Sequence, residues 1–156
     1  TLGTSLAESE MGLVYGGGQV GIMGIIAKAC LDGGGTVTGI IPEDLQKREV
    51  AYHDLTELVV VDSMHTRKDL MYRRSDAFVI LPGGIGTLDE TLEIMTWRQL
   101  GFHHKPIILL EQSGYWKPLM DLLNHVVDSG FAKPNILDFL ETVPDVPTLM
   151  AKLRNL

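Results

Sequence analysis

Apolar and polar positions alternate along the chain in blocks of two kinds. Short apolar runs, "GLVYGGG", "TVTGIIP", "LVVVD", "DAFVILPGG", "KPIILLE" and "DFLETV", have strand length and end in, or run into, Gly, Pro or an acid. Between them lie longer mixed stretches of helical length: "VGIMGIIAKACLDGGG", "MHTRKDLMYRRS", "TLDETLEIMTWRQLG", "GYWKPLMDLLNHVVDSG" and a closing "VPTLMAKLRNL". In the third stretch Leu88, Leu92, Met95 and Gln99 fall along one predicted side. Residues 42–57 are charged and lack periodicity, which predicts a loop with a short helix. The strands show little alternation, as expected where helices cover both faces of a parallel sheet. The pattern predicts one doubly wound, Rossmann-like α/β domain over residues 1–156, with ligands at the carboxyl ends of the strands. The chain opens with part of a helix, "TLGTSLAESE". An α/β domain ordinarily opens on a strand, so a first strand is expected upstream of residue 1.

Bulk properties narrow the picture. With 156 residues, 45% of them hydrophobic, the chain is large enough to bury a core without disulfides or metal. A net charge of −7 argues against general attraction to nucleic-acid or membrane phosphates. No apolar run approaches the roughly 18 residues of a membrane span, and no signal-peptide pattern is present. The single Cys30 lies in a helical run, reads as a small core residue, and fits a reducing cytoplasm. The five histidines show no zinc spacing, and no metal is expected.

Two strand-to-helix junctions are rich in glycine. The first, "YGGGQVGIMG", contains Gly16-x-Gly18-x-x-Gly21, and Glu43 and Asp44 follow near the end of the next strand. This matches a dinucleotide fingerprint, but glycines serve any tight strand–helix turn. A loop packing closely against a nucleotide's phosphate or sugar is the preferred reading. The second is Pro82-Gly83-Gly84-Ile85-Gly86-Thr87. Its backbone N–H groups and the following helix N-terminus suit a phosphate, while the lack of a Lys after the last Gly excludes a triphosphate P-loop. Glu90 stands three residues after Thr87, which also fits a capping box.

A basic stretch changes the weight of these readings. "MHTRKDLMYRRSD" holds Arg67, Lys68, Arg73 and Arg74 within an acidic chain. Arg73 and Arg74 fit a solvated face. Arg67 and Lys68 fall in the first turns of a helix, where its dipole disfavours cations, so a ligand or Glu90 should favour them there.

"SMHTRK", "LPGGIGTLDE" and "TWRQLG", with "LVYGGGQVGIMG" and "GYWKPLMDLLNHVVDSGF", make the chain resemble the LONELY GUY (LOG) family. These are cytokinin-activating phosphoribohydrolases often labelled lysine-decarboxylase-like. The resemblance spans essentially the whole chain. It implies hydrolysis of cytokinin riboside 5′-monophosphate, or AMP, to free base and ribose 5-phosphate, with no cofactor. It further implies a catalytic pair of Arg67 and Glu90. Glu49, Lys68, Gly83, Gly84, Gly86, Thr87 and Thr96 are implied as substrate-binding positions, and a homodimer as the assembly. Trp97 reads as a packing or subunit-contact residue. A carboxylate such as Glu90 suits the chemistry, since glycosidic cleavage builds positive charge on the sugar. The alternative is a non-catalytic carrier of a nucleotide-containing cofactor on the same fold. Literal decarboxylation, which needs pyridoxal phosphate on a lysine, is disfavoured.

Overall fold

The computed structural model describes residues 1–156 except Lys47 and Glu49. The chain divides into two compact units, Thr1–Ser75 and Asp76–Leu156. Each is α/β, and each has a parallel three-stranded sheet, so the class expected from the pattern is the one adopted.

In the first unit, α1 (Leu2–Glu8) precedes β1 (Leu13–Tyr15), α2 (Gly21–Asp32), β2 (Val37–Pro42), a 3-10 turn (Glu43–Leu45), β3 (Glu57–Val61) and α3 (Met64–Arg74). The strand order is β1-β2-β3, with Leu13 opposite Val37 and Thr38 opposite Glu57. Helices α1 and α2 pack closely because Gly3 lacks a side chain: a Cβ there would lie 2.9 Å from both Ala29 Cβ and Cys30 N. Cys30 is fully buried, and burial pushes its thiol above the usual range, which keeps it in the unreactive protonated form. The strand β3 departs from expectation. Glu57 and Val60 are exposed while Val61 is buried, because β3 is the outer strand of its ladder rather than a central one.

The second unit runs β4 (Phe78–Ile80), α4 (Ile85–Gln99), β5 (Ile107–Leu110), α5 (Lys117–Asp128), a 3-10 segment (Pro134–Phe139), β6 (Leu140–Val143) and α6 (Val146–Leu153). The order is β4-β5-β6. Central β5 is buried throughout, and its core includes Ile80, Ile94, Met95, Leu109, Trp116 and Leu123.

Helix α4 differs from the sequence reading in two ways. Its buried side is Thr91, Ile94 and Met95, whereas Leu92 and Gln99 are exposed. Thr91 can occupy an apolar face because its hydroxyl donates to Thr87 O at 2.7 Å, which satisfies the polar atom inside its own helix. Its start also differs. The helix begins at Ile85 with Gly84 as N-cap, so Thr87 is already in the first turn and the capping box does not form.

Candidate active site

Each unit carries a glycine loop directly after its first strand, and the two loops are built differently. In the first, Arg67 is the organising residue. Ser63 caps α3, accepting from Thr66 N at 3.1 Å, while Thr66 Oγ1 donates to Asp62 at 2.5 Å. That bond, the largest influence, holds the Asp62 carboxyl below its ordinary range. The cap fixes the helix so that Arg67, one turn in, reaches back over the carboxyl ends of β1 and β2. Its Nη2 donates to Gly16 O at 2.7 Å and its Nε to Ile40 O at 3.1 Å. Only 4% of Arg67 is exposed. A buried guanidinium is costly unless hydrogen-bonded, and here carbonyls at two strand ends supply acceptors. These backbone oxygens are partners that the sequence reading, which looked for an anion, did not foresee.

Gly16 and Gly17 of this loop answer to internal packing, whereas Gly21 has open space beside it and a φ of +70° that favours glycine. A Cβ on Gly16 would fall 3.0 Å from the Arg67 guanidinium carbon. Gly17 has φ +78°, a conformation that favours glycine. The loop's backbone is committed too: Tyr52 N donates to Gly17 O and Gln19 N to Val50 O, both at 2.9 Å. The Tyr15 hydroxyl donates to Gly18 O at 3.0 Å, and burial pushes its pKa up to about 12. Lys68 follows Arg67 and is half-buried on α3. Glu49, an expected binding position, lies outside the described residues.

The second loop is open. Gly84 and Gly86 have no atom within 4 Å of where a Cβ would stand, and neither has a left-handed φ. No side chain caps α4, and its first turn holds no acid. Gly84, Ile85 and Gly86 are exposed. Gly83 is different, since its missing Cβ makes room for Thr87, whose own Cβ would be 2.9 Å away. Inside a helix glycine costs about 1 kcal/mol relative to Ala, which applies to Gly86, whereas at the N-cap position of Gly84 glycine is favoured over Ala. Nothing inside the protein requires that cost at Gly86, and the open space beside both residues suits a group brought from outside. The free N–H groups of a helix start converge there, with the positive end of the dipole.

Glu90 follows on the same face, four residues after Gly86 and three after Thr87. Helical side chains lean toward the N-terminus, so its half-buried carboxylate stands one turn above the loop. The structure thus groups Gly83, Gly84, Gly86, Thr87 and Glu90. Thr96 is not in that group: it lies about 9 Å further along α4, is exposed, and donates to Leu92 O at 2.8 Å. Sequence reasoning passed over Tyr115, whose hydroxyl donates to Gly83 O at 2.6 Å across a separation of 32 residues. His103 is also structural: Nε2 meets Ile94 O at 2.8 Å, Nδ1 accepts from Lys105 N, and burial holds its pKa below the usual value.

Residues 23–153 match the family described as "Possible lysine decarboxylase". Over 99% of its length the chain is 44% identical to a cytokinin riboside 5′-monophosphate phosphoribohydrolase of Rhodococcoides fascians, covering 78% of that protein. An Arabidopsis thaliana enzyme of the same name is 43% identical, with 99% of this chain and 72% of that one covered. The chain belongs to the LOG family. Among solved structures, a molybdenum cofactor carrier protein from Chlamydomonas reinhardtii shares the fold, with TM-score 0.68, 22% identity, and coverage of 99% of this chain and 82% of that one. A molybdenum cofactor binding protein from Rippkaea orientalis aligns with TM-score 0.70 at 20% identity, over 99% of this chain and 82% of its own. At such identities the likeness concerns the fold. In LOG terms, the motif P-G-G-x-G-T-x-x-E is the open loop with its carboxylate, and M-H-x-R-K is the helix that carries Arg67.

Proposed function

We propose that this protein is a phosphoribohydrolase that cleaves the N-glycosidic bond of cytokinin riboside 5′-monophosphate, or AMP, giving free base and ribose 5-phosphate. The observation that carries this reading is the second loop. The space beside two glycines there is empty, at a helix start with no side-chain cap, with a carboxylate one turn beyond. The loop N–H groups and Thr87 take the 5′-phosphate. Glu90 then meets the ribose, where it stabilises the positive charge that grows as the bond to the base breaks, or aligns the attacking water. The sugar separates the two anions, which limits repulsion between phosphate and carboxylate. Arg67 is the second member of the catalytic pair implied by the family motif, and Glu49, Lys68 and Thr96 are further binding positions on the same basis. The reaction is a hydrolysis and needs no cofactor.

A homodimer in the cytoplasm belongs to the same proposal. Exposed apolar residues, Ile22 and Ile25 on α2 and Leu92 on α4, support an assembly, and light scattering tests it. Among the described residues no helix is long and apolar enough to cross a membrane.

Incubation with AMP and with isopentenyladenosine monophosphate tests the reading. Release of base and ribose 5-phosphate in equal amounts is expected from at least one. Release from neither, by a folded protein, overturns it and leaves a nucleotide-binding role on the same fold.

A further inference from the structure

The loop between β5 and α5 is under tension in a way that demands an explanation. Ser113 and Gly114 both have left-handed φ, +76° and +78°. Serine rarely adopts that conformation, and such residues persist only where their surroundings hold them. Two contacts do so. Glu111, at the end of β5, accepts the Trp116 backbone N–H at 2.7 Å. Trp116 itself is 1% exposed in the core. Directly before Trp116 stands Tyr115, which is half exposed and stacks edge-on against the Trp116 ring at 5.0 Å. Core packing therefore explains Trp116 but not why Tyr115 is held out on a strained turn.

Its hydroxyl supplies the reason. Tyr115 Oη donates to Gly83 O at 2.6 Å. The peptide between Gly83 and Gly84 is trans, so its C=O and N–H point in opposite directions. Fixing the carbonyl toward Tyr115 fixes the Gly84 N–H away from it. Gly83 and Gly84 have no side chains to hold that peptide themselves, and a glycine-rich loop loses more freedom on ordering than any other.

We infer that Tyr115 is a positioning residue for the phosphate loop: it orients the Gly83–Gly84 peptide before ligand arrives, so that the Gly84 N–H is already directed at the phosphate. This rests on the reading of the loop as the 5′-phosphate site. Tyr115 need not touch substrate, and its effect should be confined to ligands that carry the phosphate.

The Tyr115→Phe variant of the full chain removes one oxygen and keeps the ring. Ribose 5-phosphate affinity should fall about three- to tenfold, the effect of one lost hydrogen bond. The KM for the monophosphate substrate should rise by the same factor with kcat little changed. Inhibition by free adenine should stay as in the wild type, and the thermal midpoint should fall by no more than the loss of one hydrogen bond. Unchanged ribose 5-phosphate affinity overturns the inference. So does an equal loss for adenine and ribose 5-phosphate with a lowered midpoint, which marks a merely structural role. The wild-type arm separates the two readings. If the wild type binds ribose 5-phosphate but releases no base from AMP, the hydrolase reading fails, and the effect of Tyr115→Phe on that binding still decides the role of Tyr115. If the wild type binds no ribose 5-phosphate, both fall.

Discussion

The two glycine loops look alike in sequence and do opposite things with their glycines. In the loop after β1 the spaces beside Gly16 and Gly17 are filled from within, Arg67 standing beside Gly16, neighbouring backbone takes amides and carbonyls, and Gly21 is a glycine for its φ of +70°. In the loop after β4, the space beside Gly84 and Gly86 is empty. A glycine that protects an internal contact and one that keeps a site open are distinguished by what a Cβ would meet. Spacing of glycines does not carry that information, which is why a G-x-G-x-x-G match alone is weak.

Substitutions can break this contrast. The largest effect is expected at Glu90: Glu90→Gln keeps the shape, removes the charge, and should lower kcat about 10²- to 10³-fold with the thermal midpoint little changed. A near-normal kcat would remove Glu90 from the chemistry. Next is Gly16→Ala, which forces a methyl against the buried guanidinium and should destabilise the fold by about 1–3 kcal/mol, read as a lower denaturation midpoint. Wild-type stability in that variant would mean that Arg67 is not anchored as described.

Gly86→Ala should do the reverse. Alanine at an unstrained helical position stabilises by about 0.4–1 kcal/mol, yet its methyl enters the open space and should raise the KM for the monophosphate. A variant both more stable and fully active would show that the space is not used.

The smallest effect concerns acid. His103 is held neutral by burial, with a folded pKa below the unfolded value of 6.5. The unfolded chain therefore binds the proton more readily, so this stabilisation is complete above 6.5 and is lost as pH falls from there through the lower folded pKa. Thermal midpoints taken on either side of that value should drop on the acid side, and His103→Asn should flatten the response.

Much of the fold was legible because short, unalternating apolar runs stand out against longer mixed stretches of helical length. The errors have local causes. Thr87-x-x-Glu90 imitates a capping box, while the true N-cap, Gly84, has no side chain to announce itself. Thr91 hides on the buried face by bonding back to Thr87 O, which a side predicted from Leu88, Leu92, Met95 and Gln99 does not include. For the site, the residues of the open loop could be read from a contiguous motif. The partners of Arg67 and Gly83 could not, since Gly16 is 51 residues from Arg67 and Tyr115 is 32 from Gly83. Nothing in a sequence pattern reports a side chain bonded to a distant carbonyl.

The contrast between a filled loop and an open one is tested most directly by a crystal structure with AMP bound. The account predicts the 5′-phosphate within hydrogen-bonding distance of backbone N–H groups among residues 84–87, with the ribose toward Glu90. A phosphate seated on the loop of residues 16–21, with 84–87 unoccupied, would contradict it.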